Sequence, residues 1–222
     1  MSIEKIHLRK LLRLFYAKPN IQRRILLEDV RTEEKKDLEE QDSGGDFHGP
    51  FWADAKNHVA GTLDLREQTK IRVASNKTRQ RLYPLLTNGF LSVWEGKIRW
   101  RNEKFEFNPK TAKGQFSLDE LGAIVKVENI LAVKIWDGTG RAIYPYFAEN
   151  PVLPIEGARL GFWAMQEALM EFGIDDFRIL DVLRGAYFRP VDIPLQGNER
   201  VLFIQKYRAI LTEWKKIRDE RG

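Results

Sequence analysis

The first part of the chain carries two amphipathic helix patterns separated by a proline. Apolar residues near one face predict a helix over residues 2–17, and Pro19-Asn20 ends it and can begin a second helix over about 21–40. The apolar stripe of that second helix fades after Val30, and the Ser, Gly and Asp residues that follow are typical of a linker. We therefore expect three parts, in chain order: a helical N-terminal arm (1–41), a flexible linker (42–46) and a body (47–222).

The next stretch predicts short elements that carry many basic residues. A short helix is expected from Phe51, and the alternation of residues 69–74 predicts a strand with a basic face and an apolar face. A second short helix is expected from about residue 77, and Pro84 and Gly89 should end it. Residues 90–94 and 98–101 are then expected to pair as a hairpin, with a strand at 104–107 and a loop at 108–117.

The C-terminal half has the clearest pattern. Strands are predicted at 124–127 and 130–136, and the Asp-Gly-Thr-Gly sequence at 137–140 predicts a tight turn into an antiparallel strand over 141–147. Pro145 should lie at an edge or a strand exit, because proline cannot donate to a ladder. The remaining predictions are a buried helix at 155–172, a strand at 177–183 that continues to 188, and a last helix at 198–219. The sum is an α+β fold, with a mostly antiparallel sheet packed by at least two long helices.

Composition excludes several classes of protein. The 222 residues are 43% hydrophobic and 31% charged, which is too apolar for a disordered chain. No apolar run approaches the roughly 20 residues of a membrane span, and the first ten residues lack a secretory signal pattern. We expect a cytoplasmic protein that makes no membrane contact. The absence of cysteine excludes disulfides, thiolate metal sites and cysteine catalysis.

Charge is arranged in blocks along the chain, although the net value is only +5. Residues 1–24 hold seven bases and one acid, residues 28–46 nine acids and three bases, and residues 66–104 ten bases and three acids. Blocks of this size can steer a charged partner. The alternative is that the acidic block neutralises a basic one within the fold.

Basic and aromatic residues alternate in the second basic block, and this pattern is typical of nucleic-acid binding. Strand alternation favours Trp100 as a core residue rather than a base-stacking one, because it places Arg99 and Arg101 on the opposite face. The function that we expect first is non-enzymatic binding of a polyanion, nucleic acid above all, through phosphate contacts with little sequence specificity and without a cofactor. The candidate binding residues are Lys70, Arg72, Lys77, Arg79, Arg81, Lys97, Arg99, Arg101 and Lys104. The 1–24 arm could add to this face.

Evidence for a metal or nucleotide site is weak in the sequence. His48, Asp54 and His58 form the only compact grouping of metal-ligand type, and a hydrophobic plug explains the same segment equally well. The Gly-x-Ser-x-Gly elbow, the phosphate-binding loop and Gly-x-Gly-x-x-Gly are all absent. We also expect Asp181 or Glu156 to pair with an arginine, because Arg159, Arg178 and Arg184 lie in or beside apolar segments.

The order of elements over 124–219 (strand, hairpin, strand, buried helix, strand, helix) is similar to the core of RecB-like, restriction-endonuclease-type nucleases. That resemblance implies a divalent metal held by an Asp near one strand end and a Glu-x-Lys on the next. The returning strand 141–147 has no acid-x-Lys, and Glu128, Asp137 and Glu149 do not match the pattern. The alternative function is thus a metal-dependent nuclease fold whose catalytic set is missing or displaced. A second alternative is a subunit that binds a protein partner or a second copy of itself.

Overall fold

A computed structural model describes residues 3–37, 46–96, 105–107 and 112–221. Seven α-helices and eight strands lie in these ranges. The helices are α1 (Leu8–Tyr16), α2 (Pro19–Asp37), α3 (Gly49–Val59), α4 (Leu65–Ser75), α5 (Leu82–Trp94), α6 (Ile155–Ala168) and α7 (Glu199–Asp219). The strands are β1 (Lys5–His7), β2 (Phe105–Phe107), β3 (Gly114–Leu118), β4 (Ala123–Val127), β5 (Leu131–Ile135), β6 (Gly140–Tyr146), β7 (Phe177–Asp181) and β8 (Ala186–Phe188).

The strands form two sheets, a three-stranded one in the order β1-β4-β3 and a five-stranded one in the order β2-β5-β6-β7-β8. The pairs β1/β4 and β6/β7 are parallel. The other four pairs, β3/β4, β2/β5, β5/β6 and β7/β8, are antiparallel. The α+β fold with a mostly antiparallel sheet is confirmed, and so are its long helices.

The five-stranded sheet is covered on both faces, and the alternation of side chains along its strands decides which face each one meets. Ala132 of β5 and Tyr144 of β6 belong to a core that also holds α1, α2, α6, α7 and the three-stranded sheet. Leu131, Val133 and Ile143 belong to the opposite core, which holds α3, α4 and α5. The first two helices are thus part of the larger core. The predicted linker at 42–46 is described only at Asp46, and the division into arm and body stays a prediction.

Pro145 lies at the exit of the β5/β6 ladder, as expected. The ladder ends where Leu131 pairs with Ile143, whereas β6 continues beside β7 to Tyr146. The Tyr146 carbonyl accepts from the Val182 N–H at 2.9 Å, which turns Tyr146 toward β7. Neighbouring residues of a strand face opposite sides, so the nitrogen of Pro145 faces the side where β5 has ended.

Three predictions within residues 69–94 are wrong: the strand at 69–74, the end of a helix at Pro84 and Gly89, and the hairpin strand at 90–94. Residues 69–74 lie in α4, whose first turn Asp64 caps by accepting from the Glu67 N–H at 2.9 Å. Residues 90–94 are the end of α5 and not a hairpin strand. Pro84 is tolerated because it lies in the first turn of α5, where a backbone N–H has no partner within the helix. Gly89 is needed for packing, since a Cβ there would lie 1.9 Å from the Val182 carbonyl oxygen.

Three smaller predictions also changed. Residues 5–7 form β1 beside β4, so the first helix begins at Leu8 rather than at residue 2. The expected loop at 108–117 contains most of β3 within its described part. The strand expected to run to 188 turns back, with Gly185 at φ +56°, into the β7/β8 hairpin. The expected strand at 98–101 lies outside the described residues. In the ranges given above, no helix is both long and apolar enough to cross a bilayer.

Candidate anion-binding cleft

Three of the five described candidate cations are bound to carboxylates. Lys70 donates to Glu67 at 2.7 Å on the surface of α4. Arg72 forms a two-bond pair with Asp54, and Arg81 forms another with Glu149. The remaining candidates of the second basic block, Lys97, Arg99, Arg101 and Lys104, lie outside the described residues.

Lys77 and Arg79 lie together on a 3-10 turn between α4 and α5. Within the described ranges, neither has a carboxylate partner. The turn is capped by Asn76, whose side-chain oxygen accepts from the Thr78 N–H at 3.0 Å. The Arg79 guanidinium lies 5.4 Å from the centre of the Tyr83 ring, which gives it a cation-π contact. Both positive charges are therefore available to a phosphate.

A cleft of about 310 Å³ lies between α1, α2 and the segment that follows β6. The cleft lies at the carboxyl end of β6, which runs parallel to β7. Ligands commonly bind at the carboxyl ends of parallel strands. Its walls combine basic, acidic, aromatic and aliphatic side chains. The lining residues are Arg9, Lys10, Arg13, Ile25, Glu28, Asp29, His48, Phe147 and Ala148.

The three cations of the cleft come from α1 and differ in their partners. Arg9 donates to Asp46 at 3.0 Å, and Lys10 binds Asp29. Arg13 binds no carboxylate among the described residues, and its Nε donates to the carbonyl of Asn150 at 3.3 Å. Arg13 is therefore the cleft cation whose charge is least compensated.

His48 forms one wall of the cleft through an aromatic stack. Its ring lies parallel to Phe147, with centroids 4.8 Å apart and planes at 10°. Arg9 lies 5.3 Å from the centre of the same phenyl ring. Burial, aided by Arg9, lowers the pKa of His48 from 6.5 to about 4. His48 is thus neutral near pH 7 and acts there as an aromatic surface with polar edges.

Two buried polar atoms of the cleft lack hydrogen-bond partners within the described part of the chain. One is Oδ2 of Asp29, a residue that is 9% exposed. The other is Nε2 of His48. Buried polar atoms are nearly always hydrogen-bonded in folded proteins. The cleft thus has unused hydrogen-bonding capacity as well as charge.

The cleft and the Lys77–Arg79 turn are joined by direct contacts. Tyr83, beneath Arg79, donates its hydroxyl to the carbonyl of Phe47 at 2.9 Å, and the Phe47 ring contacts the ring of His48. Arg81 holds Glu149, and its hydrogen bonds lower the pKa of Glu149.

Arg13 donates to the carbonyl of Asn150, the residue that follows Glu149, so Arg13 and Arg81 bind neighbouring residues of one segment. The cations of residues 9–13 and 77–81 therefore lie around one part of the surface, which we call the basic surface: Arg9, Lys10, Arg13, Lys77, Arg79 and Arg81.

The weak metal candidates do not share a site. His48 stacks on Phe147, Asp54 holds Arg72, and Nδ1 of His58 lies 3.3 Å from both the Leu65 N–H and the Leu63 carbonyl. No group of three His, Asp or Glu side chains that could hold a metal ion occurs in the described ranges.

The acids considered for the nuclease alternative are separate too. Glu128 faces His7 at 3.5 Å, and Asp137 accepts from Thr139 in the β5/β6 turn. Glu149 holds Arg81 on the basic surface. Each carboxylate therefore has a local structural partner.

The prediction that Asp181 or Glu156 pairs with an arginine is confirmed by Arg184. Arg184 donates to both oxygens of the fully buried Asp181, at 3.1 and 3.0 Å. Burial raises the pKa of Asp181, while Arg184 opposes that shift. Arg159 finds its acid in Glu199 at 3.3 Å, and Glu156 pairs with Lys206 at 3.1 Å. These pairs are structural.

Sequence reasoning did not find the cleft, although it contained one signal. Asp29 lies within the apolar stripe of α2, beside Leu26 and Val30, where a carboxylate is expected to be costly. A charged residue at such a position indicates a polar contact or a ligand. The +6 block of residues 1–24 indicated cations, but it did not single out Arg9, Lys10 and Arg13.

Comparisons of the chain with protein-family models, with curated proteins and with solved structures found no match.

Proposed function

We propose that this protein is a non-enzymatic polyanion-binding protein, and that its ligand is nucleic acid held through phosphate contacts along the basic surface. The observation that carries the proposal is the convergence of two basic stretches that lie far apart in sequence. Arg13 from the first stretch and Lys77 and Arg79 from the second have no carboxylate partner among the described residues. Their positions are linked through Tyr83 and Phe47, and through the segment 149–150 that Arg81 and Arg13 bind.

Phosphate contacts explain how such a surface would work. Each phosphate neutralised by a Lys or Arg releases counterions, so affinity falls steeply as salt rises. Such contacts position a strand without distinguishing its bases. Lys70 and Arg72 are expected to contribute little, because Glu67 and Asp54 already occupy them. The binding set is therefore narrower than the one the sequence predicts.

Fluorescence anisotropy with labelled single- and double-stranded oligonucleotides tests the proposal. Between about 50 mM and 200 mM salt, affinity should fall by at least about tenfold. The double variant Lys77→Glu/Arg79→Glu should weaken binding by about tenfold or more for every sequence. The matched control is Lys215→Glu/Lys216→Glu, which makes the same charge change on the exposed face of α7. Equal losses in the two variants, or salt-independent binding, would contradict the proposal.

A second candidate function is a nuclease-like one, and one observation favours it. β5 and β6 form an antiparallel hairpin, α6 follows, and β7 then pairs parallel to β6. That order agrees with the element order of the restriction-endonuclease-type core. Incubation of plasmid and linear DNA with Mg²⁺ or Mn²⁺ tests it, and cleavage abolished by Asp137→Ala or Glu149→Ala would support it. Intact DNA under all these conditions would count against it.

A further inference from the structure

The most unusual atom of the cleft is the second carboxylate oxygen of Asp29. Asp29 is 9% exposed, and its Oδ1 is bound by Lys10. Its Oδ2 is buried and has no hydrogen-bond partner in the described ranges. Buried acceptors are normally hydrogen-bonded, so this oxygen has capacity to accept from a ligand in the cleft. Because Lys10 already supplies a positive charge, a neutral hydroxyl fits better than a second cation.

Arg13 has hydrogen-bond donors that lack an acceptor. Its Nε is used by the carbonyl of Asn150, and its two Nη groups make no hydrogen bond within the described part of the chain. A guanidinium presents its N–H groups as a planar fork that matches a phosphate. The cleft therefore combines a phosphate-binding group with a buried hydroxyl-binding group.

The size and charge of the cleft restrict the kinds of ligand that it can hold. About 310 Å³ falls at the lower end of the range for small-molecule sites. Glu28 and Asp29 would repel a triphosphate group placed within the cleft, whereas a single phosphate can approach Arg13. The His48 ring and the side chains of Ile25 and Ala148 add aromatic and apolar walls. These features favour one phosphate, a sugar that carries hydroxyls, and a flat ring.

We propose that the cleft binds a ribonucleoside 5′-phosphate, with the phosphate at Arg13 and a ribose hydroxyl donating to Oδ2 of Asp29. This proposal rests on the proposed function, because the basic surface leads from the Lys77–Arg79 turn to the cleft and would deliver the end of an RNA strand. The same chemistry is present in a free mononucleotide. Within a strand the 3′ oxygen is esterified, so the donating hydroxyl there is the 2′-OH, and a carboxylate that accepts from it distinguishes RNA from DNA at that nucleotide.

The first arm of the test changes only the ligand, so it does not depend on a variant folding. Isothermal titration calorimetry compares adenosine 5′-monophosphate with its 2′,3′-dideoxy analogue and with adenosine. The ribonucleotide should bind about tenfold more tightly than either, because each analogue lacks one of the two groups that the cleft recognises. Equal binding of the ribonucleotide and the dideoxy analogue would overturn the role of Asp29.

The second arm distinguishes a strand end from a free nucleotide. Anisotropy compares one RNA oligonucleotide with a 5′-phosphate and with a 5′-hydroxyl, in the wild type, in Arg13→Gln and in the control Arg24→Gln on the exposed face of α2. A preference of about tenfold for the 5′-phosphate, lost in Arg13→Gln and kept in Arg24→Gln, supports binding of a strand end. Free nucleotide binding without that preference supports the mononucleotide alone.

The failure of each proposal gives a different result. Salt-dependent RNA binding without a 5′-phosphate preference and without nucleotide binding overturns the cleft proposal and leaves the proposed function standing. No binding of any oligonucleotide or nucleotide overturns both.

Discussion

The carboxylate of Asp54 in α3 accepts two hydrogen bonds from the guanidinium of Arg72 in α4, at 2.8 and 2.9 Å. Asp54 is only 4% exposed, whereas the Arg72 side chain is about one third exposed. The pair connects two neighbouring helices beside the smaller core. It also explains why a basic residue predicted to face phosphate is committed to the fold instead.

Replacing Arg72 should damage stability and leave binding intact. Arg72→Gln leaves the buried carboxylate of Asp54 without its charged partner, and the free energy of unfolding should fall by about 3 kcal/mol. Urea unfolding measures this change. Lys70→Gln is the control, since its exposed pair with Glu67 should be worth less than about 1 kcal/mol. If the folded Arg72→Gln protein lost most of its affinity for oligonucleotides, Arg72 would belong to the binding set.

The close approach of α5 to the β7/β8 hairpin depends on a missing side chain. A Cβ at Gly89 would lie 1.9 Å from the Val182 carbonyl oxygen, so Gly89→Ala has to displace backbone. We expect a loss of about 2–3 kcal/mol in the free energy of unfolding, although alanine is the better helix former by about 1 kcal/mol. Asn88→Ala, at the exposed neighbouring position, should be neutral or stabilising. Thermal unfolding of both variants tests this, and equal midpoints would contradict the packing.

The burial of His48 should make stability depend on pH. The unfolded chain binds a proton at His48 below pH 6.5, whereas the folded protein does so only below about 4. The unfolded state thus holds more protons between these values, and the free energy of unfolding falls as pH is lowered from 6.5 to 4. With about 1.4 kcal/mol for each pH unit, His48 accounts for roughly 3 kcal/mol.

Chemical unfolding across this window, for the wild type and for His48→Asn, tests the pH effect. The variant is less stable near pH 7 because it loses the stack on Phe147, but its curve should be flatter between pH 6.5 and 4. Parallel curves for the two proteins would show that His48 titrates normally in the fold.

Removing the charge of Glu149 should strengthen binding to polyanions. Glu149→Gln releases Arg81 from its two-bond pair and takes a negative charge from the surface near Arg13. Affinity for oligonucleotides at low salt should rise by a factor of about 3 to 10, and it should fall more steeply with salt. Stability should change by less than about 1 kcal/mol, since both side chains are exposed. Unchanged affinity would place the ligand elsewhere.

The C-terminal half could be predicted from sequence because its signals are local. Alternating apolar residues define β5 and β6, and the Asp137-Gly138 turn between them needs the positive φ of +86° that glycine adopts readily. The proline-bounded start of α6 is equally local. Such features need no knowledge of distant contacts.

The segment from α4 to α5 could not be predicted in the same way. Residues 69–74 alternate basic and apolar side chains, which is a strand pattern. In the fold Ile71 is 61% exposed, so the alternation does not mark a buried face. The helix there is stabilised by the Asp64 cap and by the distant partner of Arg72. Tertiary contacts thus outweigh the local pattern.

The cleft was beyond sequence reasoning for a similar reason. It brings together Arg13, Asp29 and Phe147, which only the completed fold makes neighbours. Charge blocks predict that the cations attract negatively charged groups. They do not predict which cations are left without a carboxylate partner in the fold. That outcome depends on individual carboxylates such as Glu149, which is separated from its partner Arg81 by 68 positions.

The hydroxyl of Tyr207 in α7 donates to the carbonyl of Ile3 at 2.6 Å. The last helix thus binds the first residue of the described chain. A ribosome makes α1 long before it makes α7. The leucines of α1 therefore stay uncovered through most of translation, and contacts between such distant segments form late. The larger core is thus expected to reach its final packing only after α7 has been made.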